Sequence, residues 1–318
     1  MPVVKNQNYV HPEFLFGGHL QTIVPSVFRT VPILPFERER ISTPDGDFLD
    51  LDWLKQGSDN LVIISHGLEG NSRRPYMMGM ADFFFSRGYD VLNWNFRGCS
   101  GSTNLQPVFY HSGATHDLHT VVLRAKSGYR NIFLVGFSLG GNLTLKYLGE
   151  RAPAQHGVQK AVAISVPLDL GGASDQISRR SNWLYSSRFL KSLKAKVKEK
   201  AKIFPERIPL GDLSKVRTLR DFDNWFTGPL HGFRDADHYY QSCSSLGFLE
   251  GIAIPVLILN ARNDPFLSES CFPERLGETL SGVYMEFPTT GGHVGFSPRR
   301  VGFPFWSEKR AFDFIHFD

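Results

Sequence analysis

The sequence predicts an α/β fold in which a mainly parallel central sheet carries helices on both faces. Short apolar runs alternate with stretches of helical pattern along most of the chain, which is typical of βαβ units. Runs such as Asn131–Phe137 (NIFLVGF) are apolar almost throughout, and this indicates strands that are buried on both faces. Between about residues 167 and 250 the alternation stops without an obvious strand, which predicts an inserted helical cap.

The predicted strands are short and lie between turn signals and helical stretches. They cover Glu37–Ser42, Phe48–Leu54, Leu61–Ser65, Tyr89–Asn95, Asn131–Phe137, Ala161–Val166, Pro255–Asn260 and Val283–Phe287. The predicted helices cover Pro75–Phe85, Thr115–Lys126, Gly140–Glu150 and Trp306–Phe314. Thr115 is expected to be the N-cap of the second of these helices.

We interpret residues 1–318 as a single domain with two additions. Residues 1–36 are rich in Pro, Phe and Gly without a clean period, which predicts an irregular arm on the surface. The cap, at about 167–250, lies between two core strands and is expected over the carboxyl edge of the sheet. An insertion of this length usually has a functional role.

Composition narrows the classes of function. The 35 Lys and Arg nearly balance the 31 Asp and Glu, so the net charge of +4 gives no reason to expect nucleic acid as a partner. Three cysteines (Cys99, Cys243 and Cys271) make no disulfide framework, and we expect a cytoplasmic protein. Residues 1–10 contain one Lys and no apolar stretch, so no signal peptide is predicted. No window approaches ~18 apolar residues, so no transmembrane segment is predicted. The oligomeric state is not indicated.

The strand Asn131–Phe137 leads directly into Gly136-Phe137-Ser138-Leu139-Gly140-Gly141. This is G-x-S-x-G between a strand and a helix, the pattern of a nucleophile elbow in an α/β-hydrolase fold. The serine occupies a sharp turn, and side chains at the flanking positions would collide with the neighbouring strand and helix, so glycine fits both. The helix N-terminus that follows favours developing negative charge. We therefore predict that Ser138 is a nucleophile.

A serine nucleophile needs a base, and the base needs an orienting acid. In this fold the acid and the base follow the nucleophile in that order, each on a loop after a strand. Asp264 and His293 occupy such positions and are the predicted acid and base. Other downstream candidates are His231, His238, Asp235 and Asp237, but neither histidine follows a core strand.

The oxyanion of an acyl-transfer reaction is held by two N–H donors. We predict the backbone N–H of Leu139, directly after the nucleophile, as one of them. The second is expected on the loop His66-Gly67-Leu68-Glu69-Gly70, where the N–H of Leu68 is the predicted donor. Gly67 allows a close approach, and His66 is expected to brace the loop.

Three weaker signals lead to no catalytic assignment. His111, His116 and His119 have no carboxylate pairing or H-E-x-x-H pattern, so we expect neither a metal nor a cofactor. Cys99 is interpreted as a structural thiol. The basic segment 188–202 is interpreted as a solvated face of the cap, with peripheral contact to an anionic membrane as the alternative.

These motifs together resemble the YheT-like branch of the α/β-hydrolases, whose members are described as esterases. The resemblance runs along most of the chain and rests on the segments 17–22 (GGHLQT), 66–70 (HGLEG), 95–101 (NFRGCSG), 110–113 (YHSG), 136–142 (GFSLGGN), 229–233 (PLHGF), 260–266 (NARNDPF) and 291–296 (GGHVGF). It implies the same roles for Ser138, Asp264 and His293. It also implies hydrolysis of carboxylic esters, with related members acting on acyl lipids or on medium-chain acyl groups.

Three functions follow from these observations. The first is a serine esterase that cleaves a small-molecule or lipid-like ester with an apolar acyl chain. The second is an acyltransferase with the same three residues and an alcohol acceptor in place of water, which the fold does not distinguish from the first. The third is a non-catalytic binding protein, and the complete set of serine, acid and base argues against it. The sequence leaves the acyl chain length and the alcohol portion open.

Overall fold

The computed structural model describes residues 3–4, 9–300 and 302–317. In these residues the strands are β1 (Glu37–Ser42), β2 (Phe48–Leu54), β3 (Asn60–Ser65), β4 (Asp90–Asn95), β5 (Asn131–Phe137), β6 (Val158–Ile164), β7 (Val256–Leu259) and β8 (Val283–Glu286). They form one sheet in the order β1-β2-β4-β3-β5-β6-β7-β8. The pairs β1–β2 and β2–β4 are antiparallel and all others are parallel, so the carboxyl ends of β3 to β8 share one edge.

The α-helices of the described residues are α1 (Gly17–Phe28), α2 (Pro75–Phe85), α3 (Thr115–Lys126), α4 (Leu139–Glu150), α5 (Pro153–His156), α6 (Leu170–Ile177), α7 (Trp183–Ile203), α8 (Leu219–Phe222), α9 (Gly228–Leu230), α10 (Ala236–Cys243), α11 (Glu274–Thr279) and α12 (Trp306–His316). A π-helical turn (Asp223–Thr227) and four 3₁₀ turns (Arg180–Asn182, Leu210–Lys215, Ser245–Gly251 and Glu269–Cys271) complete the helical elements. Every helix in this part of the chain is too short or too polar to traverse a lipid bilayer.

Both faces of the central strands are covered, which explains why β3, β5 and β7 are almost entirely apolar. On β3, Leu61 and Ile63 pack with α3 and α4, while Val62 and Ile64 point to the opposite face and pack with α2 and α12. All four side chains are completely buried. When both faces of a strand are buried, apolar residues are favoured at every position along it.

The insertion (residues 167–250) joins β6 to β7 and consists of helices and irregular segments without a strand. Its longest helix, α7, contributes to a hydrophobic cluster of its own, which includes Leu193, Val197 and Phe226. Leu68, from the loop after β3, packs against this cluster. The insertion therefore contacts the sheet edge where the loop after β3 emerges.

The structure differs from the sequence-based expectations at the N-terminus. Residues 1–36 are not irregular throughout, because α1 occupies Gly17–Phe28. The helix contains Pro25, and its first two residues are glycine, both of which argue against a helix in a local pattern. Gln21 and Thr22 of α1 are buried against the body of the protein, so tertiary contacts offset the poor local propensity.

Two further expectations need correction. Thr115 is the first residue of α3, and the N-cap is Ala114. The Thr115 hydroxyl does not cap the helix but donates to a carboxylate oxygen of Glu150. The basic segment 188–202 is not only a solvated face, since Lys200 is 1% exposed and donates to the carbonyl oxygen of Asn104 at 3.2 Å. Burial lowers the pKa of Lys200 to about 8. Part of α7 thus anchors the insertion to the body.

Candidate active site

Ser138 lies at the sharp turn between β5 and α4. Its backbone has φ of 52° and ψ of −119°, which is unusual for a residue with a side chain. A Cβ on Gly136 would lie 2.4 Å from the carbonyl oxygen of Gly140, and a Cβ on Gly140 would lie 2.5 Å from that of Ser65. Both flanking glycines are therefore required by the turn, which holds the Ser138 hydroxyl at the carboxyl edge of the sheet.

The structure brings Ser138, His293 and Asp264 together. His293 Nε2 lies 3.0 Å from Ser138 Oγ, and His293 Nδ1 lies 2.8 Å from Asp264 Oδ2. The Asp264 side chain is completely buried and that of His293 is 11% exposed. The serine hydroxyl can donate to Nε2 while Nδ1–H donates to the carboxylate, which is the arrangement that activates a serine.

The other downstream candidates lie elsewhere. His231 contacts the carbonyl oxygens of Thr227 and Phe109, at 2.8 and 3.0 Å. Asp235 caps α10 by accepting the N–H of His238. Asp237 is exposed and pairs with Arg220. Hydrogen bonds of the described residues thus connect Asp264, and not these groups, to His293.

Phe266 fixes both partners of this pair. Its backbone N–H donates to Asp264 Oδ1 at 2.9 Å, which leaves Oδ2 for the imidazole. Its ring lies 4.2 Å from the ring of His293, measured between centroids, with 38° between the planes. One residue therefore orients the carboxylate through its backbone and restricts the imidazole through its side chain.

Helix α1 holds the loop that carries His293. The backbone N–H of His293 donates to Thr22 Oγ1 at 2.8 Å, and the N–H of Gly291 donates to Gln21 Oε1 at 2.7 Å. Gln21 Oε1 also accepts from Asn263 Nδ2 at 3.0 Å. Asn263 directly precedes Asp264, so one buried glutamine connects the loop of the acid with the loop of the base.

The packing around α1 is too close for side chains at several glycines. A Cβ on Gly18 would lie 1.9 Å from the carbonyl oxygen of Asn263, and one on Gly295 would lie 2.0 Å from that of Gln21. The segment 17–22 was expected only as part of the family resemblance, and no role in the site was predicted for it. Nothing in the local pattern of these residues indicates the helix or its contacts with the two loops.

The residues of the two predicted N–H donors, Leu68 and Leu139, line the same pocket as Ser138. Leu139 is the first residue of α4, and a Cβ on Gly67 would lie 3.1 Å from Ser138 Cβ, so the loop after β3 lies directly beside the serine. The N–H groups of Gly67 and Glu69 donate to the hydroxyls of Tyr76 and Tyr110, at 3.0 and 2.8 Å.

Between these two occupied amides, the N–H of Leu68 has no acceptor within the described part of the chain. The same holds for the N–H of Leu139.

His66 stabilises the conformation of this loop. It is completely buried, and burial lowers its pKa to about 3, so the ring is neutral. Phe96 N–H donates to Nε2 at 3.1 Å, which places the ring proton on Nδ1, where it donates to the carbonyl oxygen of Gly67 at 2.8 Å. A neutral imidazole with both nitrogens used holds one conformation of the loop.

The insertion is tied to the same loop through Glu69, whose φ of 53° is uncommon for a residue with a side chain. Lys196 of α7 donates to Glu69 Oε1 at 2.8 Å, and the hydroxyl of Ser192 donates to the other carboxylate oxygen. Lys196 also lies 3.0 Å from Cys99 Sγ, and burial raises the pKa of this thiol to about 11. Cys99 is therefore a buried protonated thiol.

Two pockets meet at Ser138. One, of about 120 Å³, extends under the insertion with a mainly apolar lining that includes Leu68, Leu193 and Phe222. The other, of about 450 Å³, opens between α1 and α7 and includes His293 and Val27 in its lining. Both linings are mainly apolar, but the smaller pocket is lined by buried and half-buried residues, whereas exposed side chains such as Val27 and Leu184 line the larger one.

The aromatic residues of the insertion divide into three groups. Phe189 and Phe222 line the apolar pocket. Phe226 is buried in the cluster of the insertion, and Phe233 packs against the ring of His111. Trp183 and Trp225 are exposed.

The three upstream histidines of the sequence do not form a metal site. In residues 3–4, 9–300 and 302–317, no group of three His, Cys, Asp or Glu side chains is placed to hold a metal ion. His111 is buried and packs on the ring of His231, and His119 Nδ1 lies 3.0 Å from the hydroxyl of Tyr147.

Comparisons with known proteins agree with this architecture. A sequence profile described as "alpha/beta hydrolase fold" matches residues 60–298. The chain is 36% identical to the Escherichia coli protein named "Putative esterase YheT" over 93% of this chain and 89% of that protein. It is 29% identical to the mouse (Mus musculus) protein named "Phospholipase ABHD3" over 93% of this chain and 74% of that protein.

A solved structure supports the fold at lower identity. The esterase Pf2001 of Pyrococcus furiosus superimposes with a TM-score of 0.59 at 18% identity, over 98% of each chain. At this level of identity the likeness concerns the fold alone.

Proposed function

The chain belongs to the alpha/beta hydrolase fold family and to its YheT-like branch, and on this basis we propose that it is a serine esterase with Ser138 as nucleophile. Membership of that branch makes it a carboxylic ester hydrolase. We further propose that Ser138, His293 and Asp264 carry out the reaction and that the acyl group of the ester is apolar. The observation that carries it is the continuous set of hydrogen bonds from Ser138 Oγ through His293 to Asp264.

The geometry supports a two-step reaction. His293 Nε2 takes the proton of the Ser138 hydroxyl while Oγ attacks the ester carbonyl carbon. Asp264 holds the ring with Nδ1 protonated, so that Nε2 is the free acceptor. The N–H groups of Leu68 and Leu139 stabilise the negative charge on the carbonyl oxygen. The alcohol leaves with the proton from His293. In the second step His293 takes a proton from water, which attacks the acyl group, and then returns that proton to Ser138 as the acid leaves.

The two pockets suggest which side of the ester goes where. The mainly apolar pocket under the insertion suits an acyl chain, because it removes methylene groups from water. The larger pocket between α1 and α7 opens outward and suits the alcohol portion. We therefore propose that residues 167–250 are a cap that encloses the acyl group, and that the substrate is a lipid-like ester.

One experiment tests this function and separates hydrolysis from acyl transfer. Purified protein is given p-nitrophenyl esters from acetyl to dodecanoyl, with and without a soluble alcohol, and the products are resolved by mass. A hydrolase gives free acid in both cases, with an optimum longer than acetyl. Acyl-alcohol as the main product would establish an acyltransferase, and no turnover of any ester would contradict the proposal.

A further inference from the structure

Exposed apolar side chains flank the open pocket that leads to Ser138. Val27 and Leu184 line this opening, although each is more than half exposed. Phe28 and Trp183, next to them in the sequence, are 73% and 61% exposed. Soluble proteins expose single apolar residues freely, but a cluster around an opening usually marks an interaction site.

The apolar residues come from two helices that meet at this opening. His19 of α1 stacks on Tyr185 of α7, with ring centroids 5.8 Å apart and 13° between the planes. Arg188, one turn after Leu184 on α7, lines the same opening. We call Val27, Phe28, Trp183, Leu184 and Arg188 the mouth surface.

The segment that carries Trp183, Leu184 and Arg188 has charge of one sign. From residue 176 to residue 198 the sequence contains no Asp or Glu. The cations that are exposed in this segment and pair with no carboxylate of the described residues are Arg179, Arg180, Arg188, Lys191 and Lys198. On α7, Leu184, Arg188, Lys191 and Lys198 follow a spacing of four, three and seven residues, which places them along one face.

The combination of apolar tips and unpaired cations fits a lipid surface. Apolar side chains enter the boundary between head groups and acyl chains, while arginines and lysines remain at the head groups and attract anionic lipids. A second copy of the chain fits less well, because a two-fold interface would bring the same cations against each other.

We propose that the mouth surface docks the protein on an anionic phospholipid bilayer, with the opening to Ser138 facing the lipid. This goes beyond the proposed hydrolysis, since binding to a bilayer does not depend on the reaction. In this arrangement the exposed apolar residues around the larger pocket contact the lipid. An ester held in a bilayer would then enter the pocket from the membrane rather than from solution.

Sedimentation with vesicles tests the proposal on the full chain, with the Ser138→Ala form used so that lipid is not consumed. Vesicles of phosphatidylcholine mixed with phosphatidylglycerol are compared with vesicles of phosphatidylcholine alone, at low and at high sodium chloride. We expect the protein to sediment with the anionic vesicles, less with the neutral ones, and less again at high salt because the charges are screened.

Two sets of variants separate the apolar and the charged contributions. Phe28→Ser with Trp183→Ser is expected to lower partitioning to all vesicles by about tenfold or more. Arg180→Ser with Arg188→Ser is expected to lower binding to anionic vesicles by roughly fivefold per arginine, with little change for neutral ones.

The matched control is Leu123→Ser with Phe317→Ser. Both residues are exposed, at 49% and 72%, and lie near the ends of α3 and α12, at the opposite edge of the sheet from Ser138. Thermal unfolding midpoints establish that each variant is folded. The proposal is overturned if the Ser138→Ala form does not sediment with anionic vesicles at low salt, or if the control pair loses as much binding as Phe28→Ser with Trp183→Ser. A lipid-free dimer that is broken by Trp183→Ser would overturn it as well.

Discussion

The backbone N–H of His293 donates to the side-chain hydroxyl of Thr22 at 2.8 Å, across 271 positions of sequence. The same hydroxyl donates to the carbonyl oxygen of Gly18 at 2.7 Å, one turn earlier in α1. The N-terminal helix therefore controls where the base stands relative to Ser138. Thr22 touches no reacting atom, so we regard it as a positioning residue.

Thr22→Val should lower kcat by roughly tenfold, because the His293 N–H loses its acceptor and the loop can shift. Thr22→Ser keeps the hydroxyl and should retain nearly wild-type kcat. Steady-state kinetics on one ester give kcat and KM separately. A loss confined to KM, or an equal loss in both variants, would contradict the positioning role.

Asp264→Asn should leave the fold intact and lower kcat by about 10⁴, because an amide no longer holds the imidazole with Nδ1 protonated. The matched control is Asp237→Asn, which changes an exposed carboxylate of the insertion. Its kcat should stay at the wild-type value. If Asp237→Asn lost activity while Asp264→Asn retained it, the assignment of the acid would be wrong.

The apolar pocket should favour longer acyl groups. Each buried methylene contributes about 0.8 kcal/mol, so kcat/KM should rise by roughly three- to fourfold per carbon until the pocket is full. Butanoyl to octanoyl esters should therefore be cleaved faster than acetyl esters.

Phe189→Ala and Phe222→Ala should flatten this preference while acetyl turnover changes less, because both rings line the pocket. Trp225→Ala, an exposed aromatic of the same insertion, should behave like wild type. An optimum at acetyl that none of these variants alters would show that the pocket does not hold the acyl chain.

A buried histidine away from the site should make the fold sensitive to acid. Burial lowers the pKa of His156 to about 4, and its Nδ1 accepts the N–H of Val158 at 2.9 Å. An unfolded histidine titrates near 6.5, so between about pH 6.5 and 4 the unfolded chain binds the extra proton. The free energy of unfolding therefore falls as the pH falls through this window.

His156→Asn provides an acceptor that does not titrate. Its deficit in stability relative to wild type, measured by urea unfolding at about pH 7, should shrink by roughly 2 kcal/mol at about pH 4.5. A deficit that is the same at both pH values would mean that His156 binds no extra proton on unfolding.

Most of the sheet could be predicted from the sequence for a local reason. Strands β1, β2 and β5 begin and end at the predicted residues. All three lie between turn signals. Burial on two faces makes β5 almost entirely apolar, whereas β1 (ERERIS) is an edge strand and is mostly exposed.

Helix α1 could not be predicted in the same way. Pro25 and the opening glycines oppose a helix locally, and the contacts that stabilise it lie on loops more than 240 residues away. The three residues at the site were predicted because the order of nucleophile, acid and base is itself a sequence pattern. Gln21 and Thr22 have no such pattern, since their role exists only through contact with Asn263 and His293.

Covalent labelling tests directly whether Ser138 is the nucleophile. A fluorophosphonate reacts with a serine whose hydroxyl is activated by a base, and peptide mapping by mass spectrometry identifies the modified residue. We expect one label, on Ser138, and no label in Ser138→Ala, together with a loss of turnover on the order of 10⁴–10⁶. Labelling of Ser138→Ala at the wild-type rate, or wild-type turnover by that variant, would mean that Ser138 is not the nucleophile.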